Sequence, residues 1–379
     1  MRLAGIALAV PLLAFAAPDE DLLGKKQGYA SCKLDGRSFA PPDCVVWLMS
    51  HYHVAYPARA VRKGAEARPL KRAGSEPALA IDAFLDAHRN TGLLVMKGDT
   101  VLAERYQYER RPEHLFNSMS MAKTVVAMLV GIALEEKKIA SLDDPAEKYV
   151  PELKGHPYGE TPIRHLLTMS SGVRFVEAYS GNDDIMKLAR VLLLHQGPGG
   201  PGALAPFRER VAPPGRVFSY ASSETYVLAL VLRAATGRNL SDYLADKIWQ
   251  PMGAESDAAW NIDAAGYELG YCCLSATLRD WGRFGLLLAE GGARDGRQII
   301  PAAWVKEATG NRAPMTGYGY QTWVSPREDR FTLRGLRGQA VDVHPASKTV
   351  VVHTAVYGVG SGRQGQYSFF EGVLTALNK

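Results

Sequence analysis

Ser120 and Lys123 stand three residues apart in the segment Phe116-Asn-Ser-Met-Ser-Met-Ala-Lys-Thr124. On a helix that spacing puts both side chains on one face. A serine hydroxyl is a weak nucleophile at its own pKa, and a lysine whose pKa is lowered by burial is a base that can activate it. The segment opens a helix with an apolar body, so Ser120 is predicted in the first turn, where backbone N–H groups lack intrahelical partners. Its own N–H is then available to a developing oxyanion, with the positive end of the helix behind it. Ser118 has Met121 three residues on rather than a base, and reads as a cap or supporting hydroxyl.

Ser-x-x-Lys alone is a weak signal, because roughly one is expected by chance in such a chain. Position strengthens it, since a lysine on an otherwise apolar helix is costly to bury without a purpose. A second constellation, Pro213-Pro-Gly-Arg-Val-Phe-Ser-Tyr220-Ala-Ser222, is a turn that delivers a tyrosine just before another apolar helix. Tyr220 is expected to pass a proton between Ser120 and a leaving group, its pKa lowered by Lys123. Ser222 has two readings, a partner for Lys123 or substrate and a plain helix N-cap. Tyr179 and Trp323 read as walls of a substrate pocket or as core. His51-Tyr-His53 lacks the further His and Asp of a metal hydrolase, so a surface loop and no metal are expected.

These residues need a scaffold, and the hydrophobic pattern outlines one. Residues 77–88 predict a helix; 92–97 and 100–108 predict strands joined by Gly98-Asp99, a strong hairpin signal. Residues 121–137, apolar on nearly every side, predict a buried helix. Further helices are expected over 161–169, 224–235 and 278–288, with the Gly/Pro-rich stretch 195–206 as a loop. Strand patterns return at 319–324, 330–333, 339–344 and 349–354, before a closing helix at 367–377. Strands at both ends around a helical middle predict an α+β fold with one antiparallel sheet built from the two chain ends.

The 379 residues are 47% hydrophobic and 22% charged, which excludes a disordered tail, a collagen-like repeat and a coiled coil. The net charge of +5 is matched by one stretch, where Arg59, Arg62, Lys63, Arg68, Lys71 and Arg72 face only Glu66. We read it as a solvated linker rather than a nucleic-acid surface. Residues 1–17 have a short positive start, an apolar run and Ala14-Phe-Ala16, the pattern of a cleaved signal peptide. A periplasmic or secreted protein without a stable membrane anchor is expected. Residues 18–74 are then an extension, with Cys32 and Cys44 placed to close a short disulfide loop, and 75–379 the main domain. For the adjacent Cys272 and Cys273, two thiols are at least as plausible as a bond.

Ser-x-x-Lys, a Tyr-x-Ser about a hundred residues later and a Gly-containing strand resemble the superfamily of serine β-lactamases, DD-peptidases and related esterases. Within it the chain is most similar to 6-aminohexanoate-dimer hydrolases, through Ser141-Leu-Asp-Asp-Pro145, Ile163-Arg-His-Leu-Leu-Thr-Met-Ser-Ser-Gly172, Thr277-Leu-Arg-Asp280, Arg283-Phe-Gly285 and Gly335-Leu-Arg-Gly-Gln339. The resemblance spans about residues 80–379. It implies Ser120 as the acylated nucleophile, Lys123 as its base, Tyr220 as the second-motif tyrosine, and the Ser120 and Leu336 N–H groups as the oxyanion hole. It also makes Gly335 and Gln339 substrate-contacting candidates and lets Asp183 bind a substrate amine, although Asn182-Asp183 equally reads as a helix cap. The third motif falls on Leu333-Arg-Gly335 without its usual first lysine, and Ser222 stands where many relatives have Asn, so a β-lactam carboxylate loses its usual partners. The expectation is a cofactor-free serine hydrolase that cleaves a linear amide or ester through an acyl-enzyme. β-Lactamase or DD-peptidase activity, and an acylated sensor without turnover, are the alternatives.

Overall fold

The computed structural model describes residues 17–31, 41–358 and 363–377. Most of the predicted signal segment and Cys32, with its proposed bond to Cys44, lie outside the described residues. The two ends of the chain meet in a seven-stranded sheet. Its spatial order is Trp323–Val324, Phe331–Gly335, Gln339–His344, Thr349–Ala355, Asn90–Lys97, Thr100–Tyr106 and Lys71–Arg72. Neighbours run antiparallel, except that Lys71–Arg72 lies parallel to Thr100–Tyr106. The predicted α+β architecture with a sheet from both chain ends is therefore the observed one.

Alternation along the strands gives the sheet two apolar faces. Leu93, Val95 and Val351 point to one side, where helices Ile81–Ala87 and Arg363–Leu377 cover them with Phe84, Phe369 and Phe370. Leu94, Met96, Val341 and Val350 point to the other, into the main core. Helix Leu278–Ala289 lies on that second face and approaches closely through two glycines. A Cβ at Gly282 would stand 2.6 Å from Met96 Sδ, and one at Gly285 would stand 2.7 Å from Val341 and Val350. Close packing of this kind is what a side chain at either position would disrupt.

The helical middle is built on Ala122–Glu135, buried on every side from Ala122 to Ala133, as its unbroken apolar sequence predicts. Helix Ser222–Thr236 packs beside it. A second sheet of four short strands, in the order Ala58–Val61, Ala258–Asn261, Leu274–Ala276 and Phe116–Asn117, ends on the strand that leads to Ser120.

The segment before residue 75 departs from the expected solvated linker. Helix Pro42–Ala55 buries Val45, Val46, Leu48, Met49 and Tyr52 in the main core, as do Leu23 and Tyr29 upstream. Ala58–Val61 pairs with Ala258–Asn261. The basic residues have distant acidic partners: Arg59 bonds the fully buried Glu268 at 2.5 Å, and Arg68 grips Glu290 with both terminal nitrogens at 2.9 and 3.2 Å. Arg59 and Arg68 are thus tied into the fold, so the stretch is not a free linker.

Candidate active site

The chain reaches Ser120 through a sharp turn. Strand Phe116–Asn117 ends, Met119 takes a left-handed backbone (φ 45) that favours glycine, and a short 3-10 turn, Met119–Met121, runs into helix Ala122–Glu135. The turn is held from several directions. The Asn117 side-chain oxygen accepts from the Met119 N–H at 2.7 Å, while Ser118 Oγ donates to the Met119 carbonyl at 2.8 Å and accepts from the Leu274 N–H at 3.1 Å. Ser118 thus supports the turn, as expected, and Ser120 is left partly exposed at the helix start.

Lys123 follows one turn later and is buried to 1% exposure. Its Nζ donates to Ser120 Oγ at 2.9 Å, Ser222 Oγ at 3.0 Å and the Tyr271 carbonyl at 3.0 Å. Burial pushes its pKa down from 10.5 to about 8, and the negative charge of Glu177 partly opposes that shift. At neutral pH a useful fraction of this amine is unprotonated, directly on the serine hydroxyl, which is the arrangement a general base requires.

Tyr220 lies beside this pair, with Lys123 Nζ 5.0 Å from its ring centroid. The expected lowering of its pKa is overturned. Burial raises the Tyr220 pKa well above the ordinary tyrosine value and the charge of Glu177 raises it further, against a smaller downward pull from a hydrogen bond with Ser120. Burial lowers the Lys123 pKa as well, which diminishes the positive charge available to pull the Tyr220 pKa down. Tyr220 therefore holds its proton firmly and can donate it, rather than resting as a phenolate.

Glu177 was not legible in the sequence as a site residue. Its carboxylate accepts from the Ser222 N–H at 2.7 Å, from Ser222 Oγ at 2.9 Å and from the Tyr179 hydroxyl at 2.6 Å. Ser222 thereby links Lys123 to an acid. Tyr271 is the other unforeseen member, and it acts through a backbone carbonyl. Next to it Cys272 and Cys273 are joined in a disulfide, which resolves the alternatives left open for that pair.

The strand Phe331–Gly335 closes the opposite side. Gly335 packs so tightly on the nucleophile turn that a Cβ there would lie 2.3 Å from the Ser118 carbonyl oxygen. Leu336 follows and shares a cavity wall with Ser120, Ser222 and Tyr179. Gln339 is buried and bonds the Ala355 carbonyl at 2.7 Å and the Leu336 carbonyl at 3.3 Å, so it fixes the turn that carries Leu336 and does not face substrate. Trp323 stacks on Tyr220 but does not line the cavity beside Ser120. Asp183 stands at the N-cap position of helix Asp184–Leu192, one of its two expected readings: it is buried, one carboxylate oxygen accepts from the Ala178 and Ser180 N–H groups at 2.8 and 3.1 Å, and the other has no hydrogen-bond partner. His51 stacks on Trp47 at the end of a helix rather than lying in a surface loop, and no metal-ligand cluster occurs among the described residues.

The chain that carries this site is similar in sequence and fold to known proteins. The beta-lactamase family model matches residues 79–366. The 6-aminohexanoate-dimer hydrolase of Paenarthrobacter ureafaciens is 26% identical over 343 residues, covering 81% of this chain and 84% of that protein. A solved structure from Bacillus anthracis, described as a candidate 6-aminohexanoate-dimer hydrolase, superposes with a TM-score of 0.78 at 22% identity, over 92% of this chain and 97% of that one. EstCE1, a hydrolase with promiscuous acyltransferase activity, superposes at 0.60 with 16% identity, over 79% and 96% of the two chains. By the extent of that family match, the chain belongs to the beta-lactamase family of serine hydrolases.

Proposed function

We propose that the protein is an exported hydrolase that cleaves a linear amide or ester through an acyl-enzyme on Ser120. The observation that carries this reading is the 2.9 Å contact between Ser120 Oγ and a buried Lys123 whose pKa is near 8. Ser120 Oγ attacks the substrate carbonyl while Lys123 Nζ takes its proton. The N–H groups of Ser120 and Leu336 hold the oxyanion of the tetrahedral intermediate. The intermediate collapses as Tyr220 gives a proton to the departing amine or alcohol and recovers one from the protonated Lys123. Water then attacks the acyl-enzyme carbonyl with Lys123 again as base, and Lys123 returns that proton to Ser120 Oγ as the acid departs.

Support for a linear substrate comes from the third motif. A β-lactam carboxylate is usually met there by a lysine, and Leu333 occupies that place. Export is supported by the signal-like residues 1–17, and with it we propose the bond between Cys32 and Cys44.

The test is turnover of a nitrophenyl ester by the full protein and by Ser120→Ala and Ser118→Ala. Many equivalents of nitrophenolate per enzyme are expected, with turnover abolished in the first variant and retained in part by the second. Mass spectrometry with a slow ester should place the acyl group on Ser120. A single equivalent would instead identify a sensor, and an adduct on Ser118 would overturn the assignment.

A further inference from the structure

A cavity of about 300 Å³ opens beside Ser120. Three separate parts of the chain wall it with apolar groups. Met49 and Tyr52 come from helix Pro42–Ala55, Ile185 and Ala189 from helix Asp184–Leu192, and the Cys272–Cys273 disulfide adds a third apolar surface. Among the described residues that line it, Arg337 alone carries a charge, and no carboxylate does. Of the two acids beside Ile185, neither of which lines the cavity, Asp184 bonds the Val176 N–H and Lys187, and Asp183 turns one carboxylate oxygen into its own loop while the other is buried without a partner.

The cavity also has a direction relative to the chemistry. Ser120 and Leu336 line it, whereas Tyr220 is absent from its wall. Given the hydrolase reading on which this step rests, Tyr220 gives its proton to the leaving group, so that group departs on the Tyr220 side. The space beyond Ser120 and Leu336 then receives the other substituent of the carbonyl.

We infer that this cavity is an acyl-chain subsite, and that the enzyme prefers esters and amides of uncharged aliphatic acids to acetyl substrates and to acyl chains ending in an ammonium group. Each methylene moved from water onto an apolar wall favours the transition state until the space is filled. An ammonium group would lose its hydration there without a carboxylate to meet it, and Arg337 would repel it.

The experiment compares kcat/KM for nitrophenyl esters of acetic, butyric, hexanoic and 6-aminohexanoic acids, beside acetate esters of lengthening alcohols. The acyl series should rise by about fourfold per methylene until the cavity is full. The alcohol series should stay nearly flat, and the 6-aminohexanoyl ester should fall about tenfold or more below the hexanoyl ester. In Ala189→Phe the added ring fills the cavity, so the ratio of hexanoyl to acetyl kcat/KM should fall toward one. A flat acyl series, a steeper alcohol series or a preference for 6-aminohexanoyl would overturn the subsite and leave the hydrolase standing. Failure of the wild-type protein to turn over any ester would overturn the hydrolase reading and the subsite with it.

Discussion

The ring of Tyr220 stacks on the indole of Trp323 with centroids 5.8 Å apart and planes inclined by 24°. A cation attends each ring: Lys123 Nζ lies 5.0 Å from the Tyr220 centroid, and the Arg334 guanidinium lies 5.5 Å from that of Trp323. The tyrosine is thus fixed in orientation by its ring, through stacking and cation–π attraction, which leaves the hydroxyl free for proton traffic.

That division makes Tyr220→Phe informative. The ring and its contacts remain, so the melting temperature should change little. Loss of the hydroxyl should slow turnover by about 10²-fold or more, the scale of losing a general acid–base group. Because Tyr220 is protonated in the resting site, the part proposed for it is donation to the leaving group as it recovers a proton from Lys123. Amides should therefore lose more than nitrophenyl esters, since an amine must be protonated to depart and nitrophenolate need not be. Small and equal losses on both substrates would reduce Tyr220 to a wall of the site.

A second expectation concerns pH. Lys123 acts as a base only when neutral, so kcat/KM should rise with pH and reach half its plateau near the lysine pKa of about 8. The Glu177 carboxylate favours the ammonium form and raises that pKa, against the larger lowering by burial. In Glu177→Gln burial acts unopposed, and the rising limb should move to lower pH even as the rate drops from the disturbed Ser222. A pH–rate profile of both proteins reads the two effects separately. A limb that stays in place, or moves to higher pH, would remove Glu177 from the electrostatics of the base.

Such residues show which parts of the site a sequence can reveal. Ser120 and Lys123 announce themselves because one helical turn fixes their geometry, and Tyr220 because a turn and an apolar helix follow one another. Glu177 lies in an irregular loop 45 residues from the Ser222 it bonds, so no local period marks it. Tyr271 contributes a carbonyl, which every residue type possesses. The N-terminal segment was hidden for a different reason. Helix Pro42–Ala55 is buried on more than one side and broken by a non-helical backbone at His51, so its polar and apolar positions form no clear stripe. Arg59 finds its acid 209 residues away, a pairing that local charge counting reads as a bare basic run. Met49 and Tyr52, from this segment, help to wall the cavity beside Ser120.

The third-motif strand touches the nucleophile turn through Gly335. Gly335 has an ordinary extended backbone (φ −125), so its lack of a side chain matters for space rather than for conformation. In Gly335→Ala the new methyl would lie 2.3 Å from the Ser118 carbonyl oxygen, 2.9 Å from Gln339 Cβ and 3.0 Å from Met119 Cβ. None of these is the loose end of a flexible chain, so the strand must retreat from the turn. Leu336 moves with it, and in the proposed mechanism its N–H is drawn away from the oxyanion formed at Ser120. Losing one such donor costs roughly 10²–10³ in kcat, while overpacking of this kind costs about 1–3 kcal/mol of stability. The expected variant is folded, somewhat less heat-stable and slower by that factor. Its loss should be uniform along the acyl-ester series, because the oxyanion is common to every ester whereas the cavity is felt only by the longer chains. A loss confined to the long acyl chains would mean that Gly335 shapes the cavity and leaves the oxyanion hole intact.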